Sequence, residues 1–306
     1  MIRFVVRRLL GMVPLLVVIA LAAFLFMRTA PGGPFDDERS LPPQIEANLR
    51  ARYHLDEPLL QQFGRYVGEL ARGDLGPSFK YRNRTVNEII AQSAPVSLTL
   101  GAVALLLALG IGITAGVISA THRHRAADHA AMVLALAGVC IPNFVLGPAL
   151  IILFAFVLGW LPVGGWGSPP QIVLPAITLG AIRAAYIARL TRTGMLEVLG
   201  QDFIRTARAK GLTGRVVVMR HALKVAILPV VSYLGPAMAS IMVGSVVVEQ
   251  IFHVPGLGSF FVQSALNRDY TLAMGSVLFY STLLILLNLM VDVAYHYLDP
   301  RVEYGQ

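Results

Sequence analysis

The charged segment DFIRTARAKGL, residues 202–212, is the part of this sequence best suited to contact a polar or charged partner. Asp202, Arg205, Arg208 and Lys210 lie here between two strongly apolar runs. On a helix, Arg205 and Arg208 would share one stripe. Two interpretations fit this pattern: a solvated connector whose charges fix membrane topology, or a basic helix surface that another protein grips.

The same segment would present a second face made of small or apolar side chains. Ile204, Ala207 and Gly211 share that stripe at helical spacing, and Gly211 is expected to end the helix. The polar connector around the segment is long, about residues 191–224, whereas a topology signal needs only a few arginines. The length of the connector therefore fits a contact with another protein as well as the simpler interpretation as a solvated connector.

Sequence motifs for enzymatic chemistry are absent. The phosphate-binding pattern G-x-x-x-x-G-K-[ST] does not occur, and no lysine follows a glycine. The patterns G-x-S-x-G and H-E-x-x-H are missing as well. His122, His124 and His129 form H-x-H-x4-H, but without cysteine partners or a carboxylate cluster they favour a hydrated loop over a metal site. We therefore expect no catalytic residue and no metal site in this chain.

Several polar and helix-breaking residues lie within or beside apolar runs, where they could line a path. Arg183 could face a water-filled path, pair with Glu249 or Asp292, or extend to the membrane interface. Prolines in such runs either open the backbone to a path or kink the helix. The candidate path or gate residues are Pro142, Asn143, Arg183, Pro229 and Glu249.

The very apolar composition of the chain predicts which secondary-structure elements hold these residues. The chain has 306 residues, of which 56% are hydrophobic and 14% charged, and its mean hydropathy is +0.67. A soluble domain is nearer a quarter charged. Six segments reach the length of about 20 apolar residues that a membrane-spanning helix needs: Leu9–Met27, Val96–Ser119, Val133–Leu158, Ile172–Leu190, Val225–Val248 and Leu272–Val291. We therefore predict an all-α integral membrane protein with six transmembrane helices.

Lysine and arginine are concentrated in the short loops that would share a side with both termini. Since such an excess marks cytoplasmic loops, both termini are expected in the cytoplasm. The net charge of +8 follows from this pattern and does not indicate nucleic-acid binding. The expected organisation is an N-terminal arm with the first span (1–28), an extracytoplasmic helical region (29–94), a core of five spans (95–298) with a cytoplasmic loop (191–224), and a cytoplasmic tail (299–306).

The first outer loop contains one segment with helical spacing. Leu60, Phe63, Val67 and Leu70 recur at that spacing, and Gly73 lies just past the expected end of the helix. A small helical cap on the membrane domain and a docking surface for an external partner both fit this pattern.

Motifs along the whole chain resemble those of a known transport family. RTARAKGL followed by RHALKVAILPVVSYLGP resembles the cytoplasmic-loop signature of ABC-importer permeases in its peptide-transporter form. The general signature begins Glu-Ala-Ala where this chain has Arg205-Thr206-Ala207, a departure that is usual in the peptide branch. Further matches occur in order: RRLLGMVPLL, YHLDEPLLQQF, GDLGPSFKYRNRTVNEII, IPNFVLGP, LGWLPVGGW, VEQIFHVPGLG and LNRDYTLAMG. Together they resemble the first membrane subunit of oligopeptide ABC importers, in the peptide and nickel branch of binding-protein-dependent transport permeases.

The resemblance implies a type I ABC-importer permease fold and a place in a bacterial inner membrane. The chain would form a heterodimer with a second permease subunit, sit above two ATPase subunits, and receive peptide from a periplasmic binding protein. ATP and Mg would be bound by the ATPase subunits, with no cofactor in this chain. Relatives in the same branch carry dipeptides, nickel or haem, so these substrates stay open as alternatives. A secondary transporter that acts without partner subunits is a further alternative, less similar to this family.

The resemblance also gives residues 202–212 a role. It implies that they form a coupling helix, which seats in a groove on an ATPase subunit and transmits closure of the ATPase pair to the spans. The small-residue stripe is expected to set the fit, and the basic side chains to contact acidic groups. The implied contact residues are Asp202, Phe203, Ile204, Arg205, Thr206, Ala207, Arg208, Ala209, Lys210, Gly211 and Leu212.

Overall fold

The structure, a computed structural model, describes residues 2–29, 56–81 and 83–298. Part of the predicted first outer loop, residues 30–55, and the predicted tail, residues 299–306, lie outside the described residues. The described helices are α1 (Ile2–Thr29), α2 (Leu59–Ala71), α3 (Val86–Thr121), α4 (Ala126–Cys140), α5 (Asn143–Leu150), α6 (Pro169–Leu199), α7 (Asp202–Ala209), α8 (Gly214–Val216), α9 (Leu223–Ala226), α10 (Leu228–Phe252), α11 (Leu257–Leu266) and α12 (Tyr270–Leu298). The all-α prediction is confirmed.

Two wider, π-helical segments continue this helical path. They are Ile151–Val157, directly after α5, and Val217–Ala222, between α8 and α9. Helix α6 is longer than the fourth predicted span, because it runs nine residues beyond Leu190 to Leu199. Part of the predicted cytoplasmic connector is therefore a direct extension of a spanning helix.

The number of spans depends on how bent helices are counted. Among the described residues, α1, α3, α6 and α12 are continuous, long and apolar enough to cross a membrane. Two bent helix pairs raise the number to six if each pair is one span. The structure thus differs from six straight spans in the third, where α4 and α5 are bent by 112°, and at the start of the fifth, which is bent by 53°.

Proline explains where both bends occur. Proline lacks an N–H and pushes the preceding residue out of the helical region. Helix α4 ends at Cys140, and Pro142 has the extended values φ −60° and ψ 146° directly before α5. Pro229 lies in the first turn of α10, where a missing N–H costs no intrahelical hydrogen bond.

One compact unit consists of Met1–Ser97 and Pro255–Leu289. In this unit Tyr66 of α2 packs with Phe24 of α1 and Met274 of α12 in an apolar cluster. A second cluster joins the start of α3 to α11 and the start of α12. The short helix α2 is therefore held by side-chain packing on both terminal spanning helices of the chain.

The inward face of α2 differs from the predicted stripe. Leu60 is 87% exposed, whereas Gln62 and Tyr66 are buried. The helical spacing was identified correctly, and Gly73 follows the helix with a φ of +78°. Phe63 and Leu70 of the predicted stripe do pack against the buried cluster, but the inward face is shifted toward Gln62 and Tyr66, so that Leu60 lies outside it.

The second compact unit consists of Leu98–Val254 and Met290–Gln306. One of its contacts is a close crossing of α3 and α6. A Cβ atom added at Gly112 or Gly116 would lie 2.7 or 2.6 Å from a carbonyl oxygen of α6, and one added at Gly180 would lie 2.6 Å from a carbonyl oxygen of α3. Small residues allow such backbone-to-backbone approach where lipid supplies no hydrophobic drive between helices.

Candidate functional site

Helix α7 occupies most of the segment predicted to contact an ATPase. It begins at Asp202 and ends at Ala209, after which Gly211 adopts a φ of +79°. The Gly211 N–H donates to the Arg208 carbonyl at 2.9 Å, and the Leu212 N–H donates to the Ala207 carbonyl at 3.3 Å. This pair of bonds is a Schellman C-cap, in which glycine is favoured because it takes the left-handed conformation without a Cβ clash.

One face of α7 is buried within its own unit. Ile204 is 0% and Ala207 is 5% exposed. Both belong to one apolar cluster with Ala120, Met195, Val198, Val217, Ala222 and Ala226. Ile204 and Ala207 therefore attach the helix to this chain, and the role of their stripe in the fit to a partner stays a prediction.

The other face of α7 is open. Phe203 is 40% and Leu212 is 38% exposed. Arg205 and Asp202 form a loose ion pair at 3.5 Å, with side chains 78% and 96% exposed. Arg208 is exposed on the same helix. The surface available for a partner thus combines two apolar side chains with basic groups. We call it the α7 outer face, made of Phe203, Arg205, Arg208, Lys210, Gly211 and Leu212.

A buried ion pair lies next to the seat of α7. Asp128, in the first turn of α4, is 3% exposed and accepts two hydrogen bonds of 3.0 Å from the Arg192 guanidinium on α6. Ser119 donates its hydroxyl to the same carboxylate, and the His124 N–H donates at 3.0 Å. A bidentate arginine with further donors is a strong way to hold a carboxylate away from water. The ends of α3, α4 and α6 are therefore tied together beside the cluster that carries α7.

The five candidate path or gate residues do not form one site. Arg183 on α6 donates to the Tyr233 hydroxyl at 3.0 Å, one turn after Pro229 in α10. Glu249 is fully buried near the other end of α10. Sixteen residues separate Tyr233 from Glu249, which is about 24 Å along a helix. A direct Arg183–Glu249 pair, one of the alternatives raised by the sequence, is therefore wrong.

Pro142 and Asn143 lie near the C-terminal end of α10, which contains Glu249. A Cβ atom added at Gly147, one turn after Asn143, would lie 3.2 Å from the Phe252 ring, and Phe252 follows Glu249 by three residues. The Asn143 Oδ1 atom is buried and has no hydrogen-bond partner among the described residues. This grouping leaves an unsatisfied polar atom close to the break between α4 and α5.

The first compact unit contains a polar centre that sequence reasoning missed. Asp269, just before α12, is 0% exposed. Its carboxylate accepts the Ser78 hydroxyl, the backbone N–H groups of Phe79 and Lys80 at 3.1 and 3.3 Å, and the Leu272 N–H at 3.2 Å. It caps α12 and holds the segment before α3 against that helix.

The signals for these missed residues were present in the sequence. Asp128 and Asp269 are lone acidic residues directly before or within the first turn of apolar helices, a position that the helix dipole favours. Their basic or hydroxyl partners are 64 and 191 residues distant, so spacing alone could not identify them. Among residues 2–29, 56–81 and 83–298, no group of three or more His, Cys, Asp or Glu side chains could hold a metal ion. The histidines at 122, 124 and 129 thus do not form such a cluster.

Comparison with solved structures identifies the fold. A chain of the MetNI methionine ABC transporter, in an inward-facing conformation, superposes with a TM-score of 0.58 at 18% identity. The match covers 69% of this chain and 96% of that chain. A chain of an amino acid ABC transporter crystallised with histidines matches with a TM-score of 0.53, covering 68% and 94%. The chain therefore has the helical fold of type I ABC-importer permeases.

Sequence comparison identifies the family. The family described as binding-protein-dependent transport system inner membrane component matches residues 112–304, and the N-terminal family of the same components matches residues 1–101. The oligopeptide transport system permease protein OppB of Escherichia coli (strain K12) is 48% identical over 306 residues, covering 99% of this chain and all of that one. The dipeptide transport system permease protein DppB of Bacillus subtilis (strain 168) is 44% identical, covering 99% and 98%. With its long apolar helices, this multi-pass inner membrane protein belongs to the family of binding-protein-dependent transport system inner membrane components.

Proposed function

We propose that this chain is a permease subunit of an ATP-driven importer that takes up oligopeptides. The observation that carries the proposal is the 48% identity to an oligopeptide permease along the full length of both chains. The absence of a phosphate-binding motif supports it, because ATP chemistry then belongs to a partner. The chain would form half of the translocation path with a second permease subunit and receive peptide from a periplasmic binding protein.

The α7 outer face is the proposed contact with an ATPase subunit. Two exposed apolar side chains, Phe203 and Leu212, can be desolvated in a partner groove, while Arg205 and Arg208 can meet acidic groups at its rim. The buried side of α7 supports the proposal in a second way. Because Ile204 is packed against the ends of α3 and α6, a displacement of α7 would be transmitted directly to those spanning helices.

Both termini are proposed to lie in the cytoplasm, as the distribution of lysine and arginine indicates. The organisation expected from the sequence stays part of the proposal, with residues 29–94 outside the cytoplasm and residues 191–224 inside. Residues 29–94 would then face the binding protein. The ATPase subunits would bind ATP and Mg, and this chain would need no cofactor.

Reconstitution of the whole importer tests the proposed function. The chain, its second permease subunit and the ATPase subunits are placed in liposomes, and uptake of a labelled tetrapeptide is measured with binding protein and ATP. Uptake that needs all components is expected. A matched dipeptide and Ni²⁺ serve as competing substrates, since the dipeptide permease is a close enough relative to make that comparison informative. Faster uptake of either competitor than of the tetrapeptide would reject the oligopeptide assignment.

Cysteine crosslinking tests the α7 contact. Cys140 is the single native cysteine, so a Cys140→Ser background leaves one reporter per variant. Phe203→Cys is expected to crosslink to an ATPase subunit, whereas Leu60→Cys, an 87% exposed position in the proposed extracytoplasmic region, is the control that should not crosslink. A crosslink from His122→Cys, in the loop between α3 and α4, without any crosslink from Phe203→Cys would place the ATPase contact outside the α7 outer face.

A further inference from the structure

A cavity of about 260 Å³ lies within the first compact unit, between the end of α1, helix α2 and the start of α12. Its lining is mixed rather than purely apolar. It includes Phe24 and Arg28 of α1, Glu69 of α2, Phe79, and Tyr270 of α12. Neither the coupling contact nor the candidate path residues use this cavity.

Among the described residues that line this cavity, Arg28 is a charged group whose side chain contacts aromatic rings. Its guanidinium carbon lies 5.4 Å from the centre of the Phe24 ring and 5.8 Å from the centre of the Tyr270 ring. Within the described part of the chain, those two ring contacts are its only interactions. By contrast, Arg65 at the same cavity already pairs with Glu57 at 2.8 Å.

The ring contacts prepare Arg28 to bind a planar anion. Aromatic rings attract the flat face of a guanidinium, and they hold the side chain in one orientation. The N–H groups point outward along its edge, and that edge matches a carboxylate in a two-pronged hydrogen-bonding geometry. Little side-chain entropy is lost on binding, because the two rings already restrict the arginine.

The size of the cavity limits what the anion can belong to. Pockets that enclose drug-sized ligands usually start at about 300 Å³, so this cavity takes the end of a chain and not a whole oligopeptide. The aromatic lining suits the last side chain of a peptide, which would enter together with its carboxylate. Glu69 also lines the cavity, and its negative charge repels a doubly charged phosphate more strongly than a singly charged carboxylate.

We propose that this cavity binds the C-terminal carboxylate of the transported peptide, with Arg28 as its ligand. The inference rests on the proposed function as an oligopeptide permease subunit. It adds a substrate contact in the first compact unit, and it predicts that the permease itself distinguishes a free peptide carboxylate from a blocked one.

Paired peptides test the inference in the complete importer. Uptake into liposomes is measured for one tetrapeptide with a free C-terminal carboxylate and for the same tetrapeptide with a C-terminal amide. The preference of the binding protein is the same in every experiment, so it cancels when the acid-to-amide rate ratio of a variant is divided by that of the wild type. In Arg28→Gln this ratio is expected to fall roughly tenfold, as for loss of a charge-assisted hydrogen bond.

Two further variants keep the test decisive. Arg28→Lys retains the charge but loses the flat fork, and a fall of several-fold in the ratio is expected even if Arg28→Gln does not assemble. Arg72→Gln, exposed directly after α2, is the matched control and should leave the ratio unchanged. Equal slowing of both peptides, or an unchanged ratio in the Arg28 variants, would overturn the carboxylate site while the importer function stands. No ATP-dependent uptake of either peptide by the wild type would overturn the proposed function, and this inference with it.

Discussion

Two neighbouring residues of α7 should respond to truncation in opposite ways. Ile204 is fully buried against the ends of α3 and α6, whereas Phe203 is 40% exposed on the α7 outer face. We predict that Ile204→Ala loosens the attachment of α7 to its own unit. We predict that Phe203→Ala leaves this attachment intact and weakens binding of the ATPase subunit.

The size of the first effect follows from burial. Truncation of a fully buried isoleucine to alanine removes packed carbon atoms and leaves a cavity, at a cost of about 2–4 kcal/mol. At 1.4 kcal/mol per tenfold change, this corresponds to an opening of α7 that is roughly 30- to 1000-fold more frequent. A substitution at an exposed position is usually within about 0.5 kcal/mol, so Phe203→Ala should change the opening by less than about threefold.

Hydrogen exchange with mass spectrometry measures this opening directly. The backbone N–H groups of residues 204–212 are bonded within α7 and its C-cap, so their exchange reports local opening of this helix. The measurement is made on the permease in nanodiscs without ATPase subunits, so that a partner cannot protect the segment. Unchanged exchange in Ile204→Ala, together with loss of ATPase binding, would mean that Ile204 faces the partner and would refute our assignment of the two faces.

Three further predictions concern the packing that surrounds these sites. Gly116→Val should destabilise the α3–α6 crossing by about 1–3 kcal/mol, because its Cβ would lie 2.6 Å from a carbonyl oxygen. Gly110→Val, whose Cβ would have no atom within 4 Å, should not destabilise it. Thermal unfolding in detergent compares the stability of the two variants. Arg192→Ala should reduce the yield of folded protein in membranes, because it leaves the buried Asp128 carboxylate without its cation. The double variant Arg192→Ala/Asp128→Ala should recover part of that yield. If the yield of the double variant is no higher than that of the single variant, the pairing is contradicted. Asp269→Ala should make the segment before α3 more sensitive to limited proteolysis, since two hydroxyls and three backbone donors lose this acceptor; a digestion pattern like that of the wild type would show that the cap is dispensable.

Much of the architecture could be predicted because lipid constrains the length and composition of each spanning segment along the chain. A spanning helix must be long and apolar, so the four continuous spans could be identified from local composition. The end of α7 could also be predicted from local sequence, because the left-handed C-cap at Gly211 depends on the residue type at that one position. The all-α class, the presence of these spans and this helix end therefore needed no knowledge of distant contacts.

The orientation of helix faces could not be predicted from spacing. Periodicity showed that Ile204 and Ala207 share a stripe, but not whether the stripe faces a partner or the chain itself. Only the tertiary structure supplied the answer, by placing Met195 and Val217 against that stripe. The same holds for α2, where Tyr66 is buried and Leu60 is not.

By itself, the sequence determined the fold class, most of the spanning helices and the position of the basic segment between two of them. The tertiary structure decided which charges are paired and which are available. Asp128 meets Arg192 across 64 residues, whereas Arg28 meets only two aromatic rings within the described chain. The physical reason is that hydrophobicity acts on each segment separately, while the partner of a charge is set by which helix ends come together in space.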